Sequence, residues 1–215
     1  MTSKPISIDV VSDVVCPWCY VGKRNLASAL AQWDGGELAV HWRPFQLDPT
    51  IPPGGMDRTE YMARKFGPDR AKNAHERLEQ IGKAAGLNFA FDAIKLSPNT
   101  MDAHRLIRWA AATNGQAAIV ERLFALYFIE GKNIGDRDLL ARIAGENGLD
   151  AAVIRARLDT DADVKDVQEE IAAAIRIGVS GVPFFIIDGK YGLSGAQPPE
   201  AILAALRKAA DEQGA

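Results

Sequence analysis

The chain has 215 residues, 47% hydrophobic and 25% charged, with 25 Lys and Arg against 28 Asp and Glu and a formal net charge of -3. That is the mixture of a soluble globular chain long enough to bury its own core. It has no basic tract or acidic tail, so composition gives no support for a nucleic-acid or membrane partner.

The chain opens MTSKPISIDVVSDVVCPWC, where one lysine precedes a short apolar run broken by Asp9 and Asp13. A secretory signal needs a longer unbroken apolar region. No segment has the length of a membrane-spanning helix. The expectation is a cytoplasmic protein, in a reducing compartment that disfavours structural disulfides.

Ile6, Ile8 and Val10 alternate with Ser7 and Asp9 before Val11, the pattern of a short, largely buried strand. Residues 17–31 read as a helix: Pro17 suits a first turn, and Val21, Leu26, Ala29 and Leu30 line one face. Gly35-Gly36 makes a turn, and 38–42 is a second strand. A proline-rich loop covers 44–53. Asp57 then opens a helix with Glu60 three residues on, a variant of the capping box.

Helical periodicity follows at 57–66, 69–85, 100–113, 116–130, 136–147, 150–158 and 162–177. The run ends at Gly178-Val179-Ser180-Gly181-Val182-Pro183. Residues 184–188 form a compact apolar strand, Asp188-Gly189 is a hairpin turn signal, and 190–193 returns as a strand. Gln197-Pro198-Pro199-Glu200 starts a last helix with Ile202, Leu203 and Leu206 on one face. This order predicts an α/β fold in which a helical insertion splits one small sheet. The boundaries fall at 1–50, 51–175 and 176–215.

The two cysteines, Cys16 and Cys19, are the only ones in the chain, and they stand three positions apart between a strand and a helix. Unpaired N–H groups and the macrodipole at a helix start favour negative charge. A cysteine placed there gains thiolate character. Cys16, just before the first turn, is the more exposed candidate nucleophile. Cys19, one turn further on, is the candidate resolving thiol. Pro17 stiffens the turn, and Trp18 presents an apolar surface that cannot carry charge, so thiolate stabilisation is expected to be weaker than in the strongest oxidants.

Two other readings of the pair stand beside this one. A structural zinc site needs four ligands, and the other two would have to come from His41, His75, His104 or carboxylates. No metal is expected on this count. The pair could also be inert buried cysteines. Pro183, at the start of a strand, is an ordinary position for a residue that cannot donate to a ladder. An X-Pro bond there can also be cis, leaving the preceding backbone free for a substrate strand.

The ordered segments VVCPWCYVGKRNL, HWRPFQLDP, NTMDAHRLI, LYFIEGKNIGD and GVSGVPFFIIDGKYGLSGAQ resemble the DsbA-like branch of the thioredoxin superfamily, and within it the FrnE-like subgroup. The resemblance implies a thioredoxin-like fold with a large all-helical insertion. It implies that Cys16 attacks and Cys19 resolves, with Pro17 and Trp18 in support. Val182-Pro183 becomes the cis-proline turn facing them, which binds substrate backbone. No bound cofactor is implied beyond a redox-active disulfide, with glutathione as a co-substrate. Trp18 stands where periplasmic DsbA-type proteins often have histidine, which argues against a strong-oxidant role.

Asn99 and Thr100 read first as helix caps and His104 as a partly buried histidine; the functional reading puts Asn99 and His104 in a substrate cleft. Lys23 and Arg24 read as a solvated face, and Trp42, Pro44 and Phe45 as packing at the junction with the helical block. Ser194-Gly195-Ala196-Gln197 reads as a turn into the last helix. The expected activity is disulfide oxidation, reduction or isomerisation on protein thiols. The alternative is a glutathione-dependent transferase or isomerase of the kappa or 2-hydroxychromene-2-carboxylate isomerase type, which activates glutathione with one residue. A homodimer is left open.

Overall fold

The computed structural model describes residues 4–213, and of 68–75 the backbone alone. The chain begins with β1 (Ile6–Ser12), α1 (Pro17–Ala31) and β2 (Leu38–Pro44). A middle section holds β3 (Met56–Asp57), α2 (Arg58–Phe66), α3 (Pro68–Ala84), β4 (Leu96–Ser97) and α4 (Met101–Trp109). It continues through α5 (Gln116–Phe128), α6 (Arg137–Glu146), α7 (Ala151–Leu158) and α8 (Val164–Arg176). The chain closes with β5 (Phe184–Ile187), β6 (Tyr191–Ser194) and α9 (Pro199–Gln213).

The main sheet has the order β2-β1-β5-β6. β1 and β2 are parallel, with Ile6 opposite Leu38 and Ser12 opposite Pro44. Parallel neighbours need a crossover connection, and α1 supplies it. β5 returns antiparallel to β1, with Val11 opposite Phe184, and β6 pairs antiparallel to β5. The hairpin between them turns at Asp188 and Gly189, both at positive φ, as the Asp-Gly signal predicts.

Alternation in β1 sends its two sets of side chains to opposite faces. Ile6, Ile8 and Val10 join the main core with Val21, Leu26 and Ala29 of α1 and Ile202, Leu206 and Ala209 of α9. Val11 joins a smaller cluster on the other face with Phe45, Ala174 and Val179. The fold is therefore α/β and thioredoxin-like, with the helical insertion returning α8 to cover the second face.

The insertion keeps only a small cluster of its own, Ile51, Tyr61 and Met62. Ile119, Leu123, Phe124, Tyr127 and Phe128 of α5 are all fully buried, and they belong to the same cluster as β1 and α1. Tyr20 of α1 makes the junction, stacked on Phe124 at 4.8 Å between ring centroids. Trp42 and Phe45 are buried, as expected of junction packing.

The helical periodicity locates every α-helix of the insertion to within a few residues, and misses the 3-10 turn at Phe91–Ala93. Two other details differ. The helix expected over 100–113 ends at Trp109 and tightens into a 3-10 turn that stops at Asn114, in the left-handed region. Met56–Asp57 also pairs antiparallel with Leu96–Ser97, so the insertion carries a two-residue ladder. Among the described residues, no helix is long and apolar enough to cross a membrane.

Candidate active site

β1 delivers the chain into a buried loop, Ser12 to Cys16, before α1 begins. Cys16 occupies the N-cap position in an extended conformation, with Pro17 in the first turn. Its N–H donates to the Asp13 carbonyl at 3.0 Å, and the Cys19 N–H donates to the Cys16 carbonyl at 3.0 Å. The two cysteines thus share one helical turn, and both are free thiols. Cys16 is 4% exposed and Cys19 1%. The expected difference in exposure is small, because the loop and the facing turn cover Cys16; Trp18, 38% exposed, is the outward residue of the motif.

The facing turn is Val182-Pro183, joined by a cis peptide bond. The Cys16 thiol lies 3.5 Å from the Val182 carbonyl oxygen and donates to it. Helix α1 packs directly on this turn at Gly22, where a Cβ would come within 2.9 Å of Pro183 Cγ and 3.3 Å of Phe185 Cζ. The Gly195 N–H donates to the Pro183 carbonyl at 2.8 Å, and Asn25 Nδ2 donates to the Gln197 carbonyl at 2.9 Å. The segment 194–197 thereby ties the turn to α1.

The two thiols sit in unlike surroundings. Burial, above all, pushes the Cys19 thiol well up from its ordinary value, and the neighbouring Cys16 adds to it. The Ser12 hydroxyl and the Asp13 backbone pull the other way without prevailing. No acidic residue stands in the first turn of α1 to offset its partial positive end.

Lys23 and Arg24 do not form a solvated face. Lys23 Nζ and Arg24 Nη2 each reach Glu121 at 2.6 Å, and the Tyr20 hydroxyl donates to the same carboxylate at 2.8 Å. These charges are spent fastening α1 to α5.

His104 is buried, 3% exposed. Its Nε2 lies 3.3 Å from Asp13 Oδ1, and Asp13 Oδ2 accepts from the Leu47 N–H at 2.8 Å. Thr100 is the N-cap of α4, but its side chain makes no capping bond; Asn99, one residue earlier, accepts from the Met101 N–H at 2.9 Å and donates to the Ile51 carbonyl at 2.6 Å. It also borders a cavity of about 710 Å3 with Asp102, Arg105 and Arg137. The expected cleft pair is thus parted: Asn99 faces a cavity and His104 supports the cysteine loop from beneath.

Ser12, Asp13 and Gly22 escape the reading of the sequence. Asp13 leaves a trace there, as an acidic residue inside the run VVSDVVC. Among the described residues, no group of three or more His, Cys, Asp or Glu is placed to hold a metal ion. The side chain of His75 lies outside the described residues.

A family model described as a DSBA-like thioredoxin domain matches residues 7–207. An uncharacterised protein of Bacillus subtilis (strain 168), YwbO, is 30% identical over 184 residues, covering 85% of this chain and 86% of its own. Among solved structures, a probable DsbA oxidoreductase from Streptomyces coelicolor is 32% identical with a TM-score of 0.86, over 96% of this chain and 91% of its own. Two more distant structures share the fold. A 2-hydroxychromene-2-carboxylate isomerase has a TM-score of 0.71 at 17% identity, over 97% and 98% of the two chains. A cytosolic disulfide reductase, DsbM from Pseudomonas aeruginosa, has 0.65 at 21%, over 94% and 97%, and has also been solved with glutathione.

Proposed function

The chain belongs to the DsbA-like thioredoxin-domain family, and from that premise we propose that it is a protein thiol–disulfide oxidoreductase working through Cys16 and Cys19. The observation that carries this reading is that the only two cysteines of the chain are free thiols on the first turn of α1, with Cys16 against the Val182 carbonyl.

In the reducing direction, the Cys16 thiolate attacks one sulfur of a substrate disulfide. That bond breaks, the far sulfur leaves as a thiolate with the electron pair, and a mixed disulfide forms. Cys19 loses its proton and attacks the Cys16 sulfur, releasing the second substrate thiol. The substrate gains two electrons, and the protein is left with a Cys16–Cys19 disulfide. Oxidation of a substrate dithiol is the same sequence reversed. The raised pKa of Cys19 suits the second role, since a thiol held protonated does not compete for the first attack.

Pro17 and Trp18 shape the rim of the site, and Val182-Pro183 offers backbone to an extended substrate. His104 acts through Asp13 on the loop rather than on substrate. Glutathione serves as the small-molecule thiol partner, by analogy with the similarly folded reductase solved with it. In a cytoplasmic setting the net direction is reduction or isomerisation.

Equilibration in glutathione redox buffers, with alkylation of free thiols and mass measurement, tests this. A two-electron transition to a Cys16–Cys19 disulfide is expected. A midpoint well below about -250 mV assigns a reductase, and one nearer about -120 mV an oxidant. If no intramolecular disulfide forms at any ratio, the reading fails and the glutathione-dependent transferase or isomerase, which needs no Cys19, takes its place.

A further inference from the structure

A cavity of about 120 Å3 lies between the insertion and the cysteine loop, bounded by Val15 and Pro17 on either side of Cys16 in the chain. Most of its wall is apolar, contributed among others by Met62, Phe66 and Leu78. Phe66 and Leu47, which also line it, are 45% and 37% exposed, so the cavity meets solvent. Among the described residues that line it none is acidic, and two are cationic, Arg58 and Lys65. In a chain of net charge -3 this is a local reversal of sign.

The two cations differ: Lys65 lies near enough to the Asp48 carboxylate to help hold it ionised, whereas the contacts of Arg58 are with neutral groups. Arg58 Nη1 reaches the Ser97 hydroxyl at 3.4 Å and the Tyr127 hydroxyl at 3.5 Å, both long for hydrogen bonds. Its Nε is buried with no hydrogen-bond partner. Among the described residues Arg58 makes no ion pair, in contrast to Arg24, Arg43 and Arg108. Lys65 Nζ rests on the Tyr61 hydroxyl at 2.7 Å.

A buried donor without a partner is costly, and a guanidinium fork matches a carboxylate in shape and charge. The whole cavity, about 120 Å3 and open to solvent, is near the size of one that holds a benzene ring, about 150 Å3. Ligand sites are commonly built this way, apolar with a few convergent polar groups. We propose that this cavity binds a small aromatic or branched aliphatic carboxylic acid, its carboxylate on Arg58 and its apolar body against Val15 and Pro17. The site is independent of whether the cysteines exchange disulfides, and it sets the acid beside them.

Calorimetric titration of the full, reduced chain with benzoate and with benzamide tests the assignment. Benzoate is expected to bind saturably and benzamide, equal in shape but uncharged, about tenfold or more weakly. Arg58→Met is expected to bring benzoate down to the level of benzamide, and Leu78→Trp, which fills the cavity with Arg58 intact, to abolish both. Equal affinity for the two probes, or benzoate affinity unchanged in either variant, overturns the proposal. Should Arg58→Met fail to fold by circular dichroism, the probe ratio on the unsubstituted chain and on Arg58→Lys decides. None of these outcomes bears on the redox-buffer measurement, so the two readings fall separately.

Discussion

His104 and Asp13 meet at 3.3 Å with both side chains buried, and this contact joins α4 of the insertion to the loop that presents Cys16. Asp13 serves both ends: its carboxylate receives His104 while its carbonyl receives the Cys16 N–H. His104→Ala removes one side of a buried polar pair and leaves a carboxylate oxygen without its partner. The expected cost is about 1–3 kcal/mol in urea denaturation. If the histidine positions the loop, disulfide exchange slows as well; an unchanged exchange rate in the folded variant reduces His104 to a packing residue.

Division of labour between the thiols is open to trapping. Cys19→Ser is expected to accumulate a mixed disulfide on Cys16 when mixed with oxidised glutathione, seen as a single adduct by mass spectrometry. Cys16→Ser should form little adduct, because burial alone still holds the remaining Cys19 thiol protonated. Equal adduct on both variants would remove the assignment of attacking and resolving roles.

Trp18 is the one outward residue between the cysteines and carries no charge. Trp18→His places a group there that can become cationic and favours the thiolate of the reduced form. The reduction potential is expected to rise by about 30 mV or more, which corresponds to about 1.4 kcal/mol for a two-electron couple. An unchanged or lower potential would mean that the residue at this position does not set the poise.

Gly22→Ala pits two effects against each other. Alanine gains about 1 kcal/mol in a helix interior. The added Cβ meets Pro183 Cγ at 2.9 Å, on a ring fixed to the backbone. The clash should prevail, for a net loss of about 1–2 kcal/mol and a slower exchange as the facing turn is displaced from Cys16. A stabilised, fully active variant would show that the turn yields freely.

Alkaline pH should unfold the chain partly through Tyr127. Burial pushes its phenol from the ordinary 10.0 up to about 12, against the pull of Arg58. The fold therefore keeps a proton that the unfolded chain gives up. The stabilisation is whole below pH 10 and is lost as pH rises through about 12, a swing of about 2–3 kcal/mol. Tyr127→Phe should flatten the stability profile over that window; an undiminished slope assigns it to other groups.

The elements and their order were legible because each carries a period. Alternation marks Ile6, Ile8 and Val10, and helical spacing marks the insertion from Asp57 onward. The cysteine site was legible because spacing in the chain and spacing in space coincide within one helical turn. The rest depends on partners distant in sequence, which no local pattern encodes. Lys23 and Arg24 look solvated until Glu121 of α5 arrives to pair with both. His104 looks like a cleft residue until Asp13, 91 positions away, is placed under it. The Met56–Asp57 ladder is too short to show any period at all.

Strand β1 borders β5 across the whole insertion, Val11 against Phe184. On a ribosome, the CPWC segment emerges early and its facing turn comes last but for β5, β6 and α9. A nascent chain thus exposes both cysteines for most of its synthesis, without the wall that Val182 and Pro183 later provide. Maturation of the thiol site is therefore timed by translation of the C-terminal sixth. Any chain truncated before Val182 retains the sulfurs and lacks the carbonyl and the proline that face Cys16.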